Sequence, residues 1–516
     1  MKLSAPIYFV VLLSLAFASQ QASVSTETRL VSLDANGQLV YAKDSQGNRI
    51  PDFSHAGYMG GGVRLPDVPV RVTVQPNKDS QDDTARIQEA IDEVSRRAPD
   101  ARGFRGAVLL ARGAYQIGGV LKIAASGVVL RGEGDSADGT VLRATGKPRT
   151  LLLVQGQGSW QKEGADHKIT DAYVPVGART FQVDNITGLA VGDTIIVQRP
   201  TTEKWIDAIG MNQIKPRADG NPIRQWEPGA GLTFDRVITA IKGREITIDA
   251  PLTNALEREY TEAFIYKYKF PGRIEQVGIE NLRSNAQVFA QDADYAKSSY
   301  NLSVFARVDV VKNGWMRRVT VEQYGNGLVV VGNKAKWITV EDSAFANSAI
   351  PETRAGPAGI ALVGQLTLVQ RCFAEGRHLH AVVTQAWVAG PNVFLDFSAK
   401  GEFLDAGPHQ RWATGTLYDN FKMESGSLKV ENRGNFGSGQ GWAGANHLLW
   451  NCVAPQILLQ QPATAHNWAI GGLGSIQHRP DDGTFEAFGT LVKPRSLYLA
   501  QLRERLGEQA VAAIAK

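Results

Sequence analysis

Four short segments between Leu368 and Val453 repeat one pattern of bulky and polar positions: Leu368-Val-Gln-Arg-Cys-Phe373, Val393-Phe-Leu-Asp-Phe397, Leu417-Tyr-Asp-Asn-Phe421 and Leu449-Trp-Asn-Cys-Val453. Each alternates for about five residues and then meets a small or Gly-containing turn, and they recur every ~24 to 32 residues, the period expected of stacked solenoid coils. Val277-Gly-Ile-Glu-Asn-Leu282, Val319-Thr-Val-Glu322 and Ile338-Thr-Val-Glu341 extend the series upstream. Such strands need an apolar ladder on their inner face, and coiling them removes every lateral edge, so only the two ends need covers.

The rest of the chain divides around this series. Residues 19–70 are polar and Gly-rich without periodicity and predict an extended strap. In 71–164, Asp83 or Thr84 can cap a helix whose Ile87, Ala90, Ile91 and Val94 share one face. Short Gly-broken strands follow it, from Gly106 to Ile117 and from Leu121 to Gly134. Residues 165–270 break the rhythm: Phe181-Gln-Val183, Thr194-Ile-Ile-Val197, Arg236-Val-Ile-Thr239 and Ile246-Thr-Ile248 predict an inserted antiparallel β-module, whose long polar Thr201–Thr233 segment reads either as a mobile loop over a groove or as a purely structural bulge. Residues 271–495 carry the main coils. In 496–516, Leu499, Leu502, Leu506 and Val511 at near-helical spacing predict a helix that closes or straps the far end.

The stretch Asp82-Asp-Thr84, Ile87-Gln88 and Ala90-Ile91, with the later Gly113-Ala-Tyr115 and Leu130-Arg-Gly-Glu-Gly134, resembles the N-terminal part of the pectate-lyase-like superfamily. The resemblance covers Asp79 to Gly134. It implies an all-β, right-handed parallel β-helix with an N-terminal capping helix. For reaction it is weaker, because the superfamily includes lyases, hydrolases, epimerases and phage tailspikes.

Composition narrows the classes. The chain has 516 residues, 53 of them Gly, with 21% charged and a formal net charge of +4. No Lys/Arg run accompanies that small charge, so a nucleic-acid partner is not expected. Met1-Lys2, the apolar run Ile7–Phe17 and the small residues at Ala16-Phe-Ala18 have the form of a secretory signal peptide over 1–18. The mature protein is expected to be secreted or periplasmic, without a membrane span. Cys372 and Cys452 occupy equivalent places in the first and fourth repeats, which puts them ~14 Å apart and predicts two free, buried thiols.

Six of the eight histidines fall in the last third: His378, His380, His409, His447, His466 and His478. Gly376-Arg-His-Leu-His380 and Gly407-Pro-His-Gln-Arg411 stand out. On a strand, His378 pairs with His380 and His409 with Arg411, and one coil plus a longer loop separates the two pairs, so they are expected on neighbouring coils about 5 Å apart. With Trp442 and His466 further on, this makes a cationic, aromatic-bordered strip suited to an acidic polysaccharide.

β-Elimination from a uronate requires carboxylate neutralisation, removal of the C5 proton and protonation of the leaving oxygen. Arg411 or Arg377 suits the first step, because a guanidinium binds a carboxylate through two parallel hydrogen bonds. His409 or His378 suits the second as a neutral base, and Tyr418, His380 or Lys400 the third. A hydrolase would instead need two carboxyl groups, for which Asp396, Glu402, Asp405 and Asp419 are available. The chain lacks the paired Asp-Asp and Gly-His-Gly signatures of polygalacturonase-like hydrolases, which favours a lyase. A non-catalytic glycan-binding surface protein is a third class. No cofactor is expected: Ca²⁺ assists some lyases of this superfamily, but no dense Asp cluster or His-x-x-x-His pair is present.

Overall fold

The computed structural model describes residues 24–25, 28–77, 79, 81–286, 303–347 and 358–515, with the side chains of 24–25, Asn347, Arg377 and His378 outside the description. The expected signal peptide therefore lies outside the described residues. Among those described, no helix is long and apolar enough to cross a membrane.

Twenty-four strands join in one parallel network that winds as a right-handed β-helix with three faces. The first sheet begins at Val70–Val74, Gly106–Leu110 and Val128–Gly132 and continues through Lys336–Glu341, Leu368–Gln370, Asn392–Leu395 and Thr416–Asp419. The second sheet includes Gly113–Ile117, Thr140–Ala144 and Ala344–Asn347. The third includes Thr150–Gln155, Val304–Asp309, Ala358–Leu362 and Ser427–Val430. Long strands such as Phe373–Thr384 and Ser398–Pro408 bend from the second sheet into the third.

The sequence repeats are the first-sheet rungs: Leu368 pairs with Val393, Val393 with Leu417 and Leu417 with Leu448. The fourth segment thus starts at Leu448, one residue before the position read from the pattern. Val369, Phe394, Tyr418 and Leu449 point into the lumen, where Phe397 and Phe421 stack at 4.9 Å. Cys372 and Cys452 extend that stack and are free and buried.

A single-residue corner joins the first sheet to the second. Asn281, Arg318, Asp342, Arg371, Asp396, Asn420 and Asn451 fill it on successive coils, all with φ between 50° and 53°. Asn and Asp enter this left-handed region at lower cost than other residues with a Cβ. Two of them have a second task. Asn420 Nδ2 donates to the Arg495 carbonyl (3.0 Å), and Asn451 Nδ2 donates to Val492 O (2.9 Å) and Arg495 O (3.1 Å) while its Oδ1 accepts from Val492 N (2.8 Å). Asn451→Ala is expected to cost about 4 to 5 kcal/mol, about 1 to 2 for the left-handed backbone and about 1 for each of the three lost hydrogen bonds, read as a fall in the denaturant midpoint.

The helix Thr84–Arg96 covers one end of the lumen with Ile87, Ala90, Ile91 and Val94. Asp83 holds its N-cap position, but the Asp83 carboxylate accepts from Gln116 N (3.1 Å) instead of a helix amide. The N-terminal strap starts beside Leu491–Val492, runs the length of the first sheet and becomes that sheet's first strand at Val70. Val31, Ile50, Phe53 and Ala56 pack with Leu368, Val393, Leu417 and Trp450 on the outer face of the sheet. The C-terminal stretch forms two helices, Leu497–Leu506 and Glu508–Ile514, split at Gly507 (φ 82°), and they lie on this same outer face. The first sheet is therefore apolar on both sides.

The inserted module is a six-stranded antiparallel sheet in the order Gln161–Lys168, Phe264–Lys269, Thr194–Thr201, Gly229–Lys242, Glu245–Ile248, Thr180–Gln182. Its Thr201–Thr233 segment is clamped, contrary to the mobile-loop reading. Trp205 and Trp226 pack among Trp387, Trp412 and Trp442 of the coils, with Trp205 edge-on to Trp412 at 4.6 Å. Arg217 Nη1 donates to the carbonyls of Asn435 (3.4 Å) and Gly437 (3.3 Å), and Asn435 Nδ2 donates to Pro216 O (2.9 Å).

Candidate active site

The third sheet carries the chemistry. Parallel register places His380 beside Asp405 and Asp405 beside Ser427. The following residues alternate: Leu428 and Val430 enter the lumen core, which leaves Lys429, Glu431 and Arg433 on the outside. At Gly407 (φ 136°) a Cβ would run into the Lys429 carbonyl oxygen, so only glycine lets the two coils approach this closely before the chain turns at Pro408. His409 follows, held by its amide to Thr384 O (2.8 Å).

His380 Nδ1 is hydrogen-bonded to Asp405 Oδ1, and both side chains are buried. Lys429 Nζ and Arg433 Nη1 stand 3.8 and 3.7 Å from Asp405 Oδ2. Burial would raise the Asp405 pKa, but the His380 bond and the charges of His380, Arg433 and Lys429 outweigh it and hold it below the usual value. The bond from Nδ1 to Asp405 orients the His380 ring and directs Nε2 away from the carboxylate. The His409 ring meets the His380 ring edge to face at 4.7 Å, and its buried Nδ1 has no partner. Burial, then the charges of His380 and Arg433, pull the His409 pKa down to about 3, so the ring is neutral at ordinary pH.

Glu431 is the opposite case to Asp405. Burial pushes its pKa up, Asp405 adds to the shift, and Lys429 and Arg433 oppose it. Arg433 Nη1 lies 3.4 Å from Glu431 Oε1, and Arg433 Nε donates to Gln440 Oε1 at 2.6 Å. The site thus sets two cations, Lys429 and Arg433, beside Asp405 and a second carboxylate, Glu431, whose pKa burial raises. Among the described residues, no group of three or more His, Cys, Asp or Glu side chains is placed to hold a metal ion.

The sequence-predicted residues fall in several places. His380 and His409 are brought together. Arg377 and His378 lie on the strand Phe373–Thr384, but their side chains are outside the described residues. Arg411 does not share a strand face with His409: the strand ends at Pro408, Arg411 and Trp412 turn at positive φ (41° and 55°), and Arg411 Nη2 donates to the carbonyls of Arg224 (3.0 Å), Gly439 (3.3 Å) and Ser438 (3.4 Å). Tyr418 is inside the lumen, 5.4 Å from Phe394 in a near-parallel stack, with its hydroxyl unpartnered. Trp442 is buried against the module, its Nε1 donating to Ile209 O at 3.0 Å. Lys400 is exposed on the second sheet, opposite Glu375. His466 stacks on Trp468 at 5.7 Å and faces Asp44 of the strap (3.2 Å), away from the third sheet.

Of the carboxylates considered, Asp419 is buried, accepting from Ser496 Oγ (2.7 Å) and Tyr498 N (2.9 Å), and Asp396 pairs with Arg495. Lys429, Glu431 and Arg433 were missed, although their alternation in Leu428-Lys-Val-Glu-Asn-Arg433 was the available signal.

His447 is structural. Its Nδ1 accepts from Thr416 N (3.1 Å), its Nε2 bonds Ala413 O (3.0 Å), and burial pulls its pKa down to about 4. Because the folded value lies below the unfolded value of about 6.5, the unfolded state binds more protons between the two. Stability from this group is full above pH 6.5 and is lost toward pH 4, by up to about 1.4 kcal/mol per pH unit. His447→Gln is therefore expected to flatten the dependence of thermal midpoint on pH across that window, measured against the parent chain.

No family model matches this chain, and no curated protein matches it. Among solved structures it is similar to the tailspike protein gp49 from Pseudomonas phage LKA1, at 15% identity and TM-score 0.42 over 79% of this chain and 70% of that one. It is also similar to a polygalacturonase from Erwinia carotovora ssp. carotovora, at 14% identity and TM-score 0.41 over 84% and 98%. The tailspike of E. coli bacteriophage HK620, solved with a pentasaccharide, is 10% identical with TM-score 0.42 over 82% and 63%. Likeness at this level transfers no activity, and it is the chain's own strand register that shows the right-handed parallel β-helix fold.

Proposed function

We propose that this chain is an exported polysaccharide lyase that cleaves a uronic-acid-containing glycan by β-elimination at the third-sheet His380–Asp405 site. The observation that carries the reading is the buried Asp405–His380 pair set beside the two cations Lys429 and Arg433. In this reading Lys429, the more open of the two cations, and Arg433 meet the uronate carboxylate and so acidify C5. His380 Nε2 takes the C5 proton, and Asp405 stabilises the imidazolium that forms. Glu431, held toward its protonated form, returns a proton to the leaving oxygen. His409, neutral and against the His380 ring, walls the base from water.

The opposed shifts of Asp405 and Glu431 favour a second reading, a glycoside hydrolase. Both carboxylates lie within 4 Å of Arg433 Nη1, so those two oxygens are no more than about 7 Å apart, a span open to a two-carboxylate mechanism. The test is to incubate the chain with a panel of acidic polysaccharides while following ultraviolet absorbance and reducing ends. A rise in both marks a lyase, because elimination leaves an unsaturated uronate. New reducing ends without absorbance mark a hydrolase. Saturable binding with neither leaves the non-catalytic glycan-binding class.

A further inference from the structure

We propose that Phe436 forms a sugar-stacking subsite next to the His380–Asp405 centre, taking the apolar face of a pyranose ring of the polysaccharide. This rests on reading that centre as a glycan-degrading site. Phe436 is the one exposed Phe, Tyr or Trp among the described residues, at 55% of its surface, while the others are buried or half-buried. It is joined to that centre by one side chain: the Arg433 guanidinium, 3.7 Å from Asp405, also lies 5.8 Å from the Phe436 ring centroid. Arg433 is mostly buried, so it backs one ring face and leaves the other to solvent.

The ring also sits on a fixed platform. Its amide donates to Arg433 O (2.9 Å), and its carbonyl accepts from Gly439 N and Gln440 N (both 3.1 Å). Its neighbours Asn435 and Gly437 are tied to the module through Arg217. A rigid aromatic face loses little conformational freedom when a ring packs on it, and C–H-rich sugar faces match the negative π surface. The outward cation Lys429 at the same site supplies the partner for the sugar's carboxylate.

The experiment measures affinity and turnover separately. Acidic oligosaccharides of increasing length are titrated into His380→Ala and into the His380→Ala/Phe436→Ala double variant. KM and kcat are measured for Phe436→Ala and Phe436→Tyr in the otherwise unaltered chain. Phe436→Ala is expected to weaken binding and raise KM about five- to tenfold, with kcat within twofold and the thermal midpoint unmoved. Phe436→Tyr should restore KM. A KM and affinity unchanged within twofold, or a loss that Tyr does not rescue, overturns the subsite. Full turnover by His380→Ala overturns the catalytic reading while the binding comparison still judges Phe436. Absence of any glycan binding overturns both.

Discussion

His380→Ala is expected to lower turnover about 10²- to 10⁴-fold, the usual loss when a positioned general base is removed. Asp405→Asn should fall in the same range, although it nearly preserves shape. Its amide carries no charge to stabilise the imidazolium, and by donating to Nδ1 it can turn the tautomer so that Nε2 holds the proton. Both variants are read at substrate saturation, beside a thermal melt that confirms folding. The His409→Ala result separates base from wall: loss as deep as that of His380→Ala would make His409 the proton acceptor. The depressed pKa argues against that role, since an imidazole with a value of about 3 is a weak base at neutral pH. Turnover within threefold of the parent in both His380→Ala and Asp405→Asn would remove the third-sheet site from the reaction.

The coil was legible because its physics is periodic. Val369, Phe394, Tyr418 and Leu449 recur because each rung must put one apolar residue in the lumen. The Asp and Asn of Leu395-Asp-Phe397 and Asp419-Asn-Phe421 mark the left-handed corner. Which face a residue serves was less legible. The first sheet is covered on its outside by the strap and the C-terminal helices, so both phases of the alternation are apolar, and Tyr418 could not be assigned to lumen or surface from pattern alone.

Arg411 and Trp442 escaped for a different reason. Their partners Arg224 and Ile209 come from an insertion some two hundred residues earlier in the chain, and local sequence carries no trace of that contact. His380 and His409 come from neighbouring coils but from different register positions: His380 pairs with Asp405, and His409 follows Pro408, the partner of Thr384, so their rings meet only because the chain turns there. The cationic side of the site, Lys429 and Arg433, rested on a plain period-two alternation that histidine counting passed over.

Asp235→Ala should destabilise the chain by about 3 to 5 kcal/mol, the typical result of removing one member of a buried ion-pair group. Asp235 is fully buried where the module meets the coils. Its Oδ1 accepts from Lys336 Nζ (2.9 Å) and Tyr268 Oη (2.8 Å), and its Oδ2 from Arg273 Nη1 (2.7 Å). Burial alone would raise its pKa, but Lys336 and Arg273 outweigh that and keep it ionised well below the ordinary range. The alanine variant leaves nearly buried Arg273 without its carboxylate and Lys336 with only Asp249 Oδ2, 3.9 Å away, whereas Lys336→Met leaves Asp235 paired with Arg273 and should cost distinctly less.

The comparison is made by denaturant unfolding, followed through tryptophan fluorescence. Trp205 and Trp226 report the module seam because they pack against Trp387 and Trp412. If the Asp235 group welds the seam, the tryptophan signal of Asp235→Ala moves to lower denaturant ahead of far-ultraviolet ellipticity, and turnover falls with it, since Arg217 and Arg224 hold the loop that carries Arg433. Coincident and unshifted transitions would assign the seam to the tryptophan cluster instead.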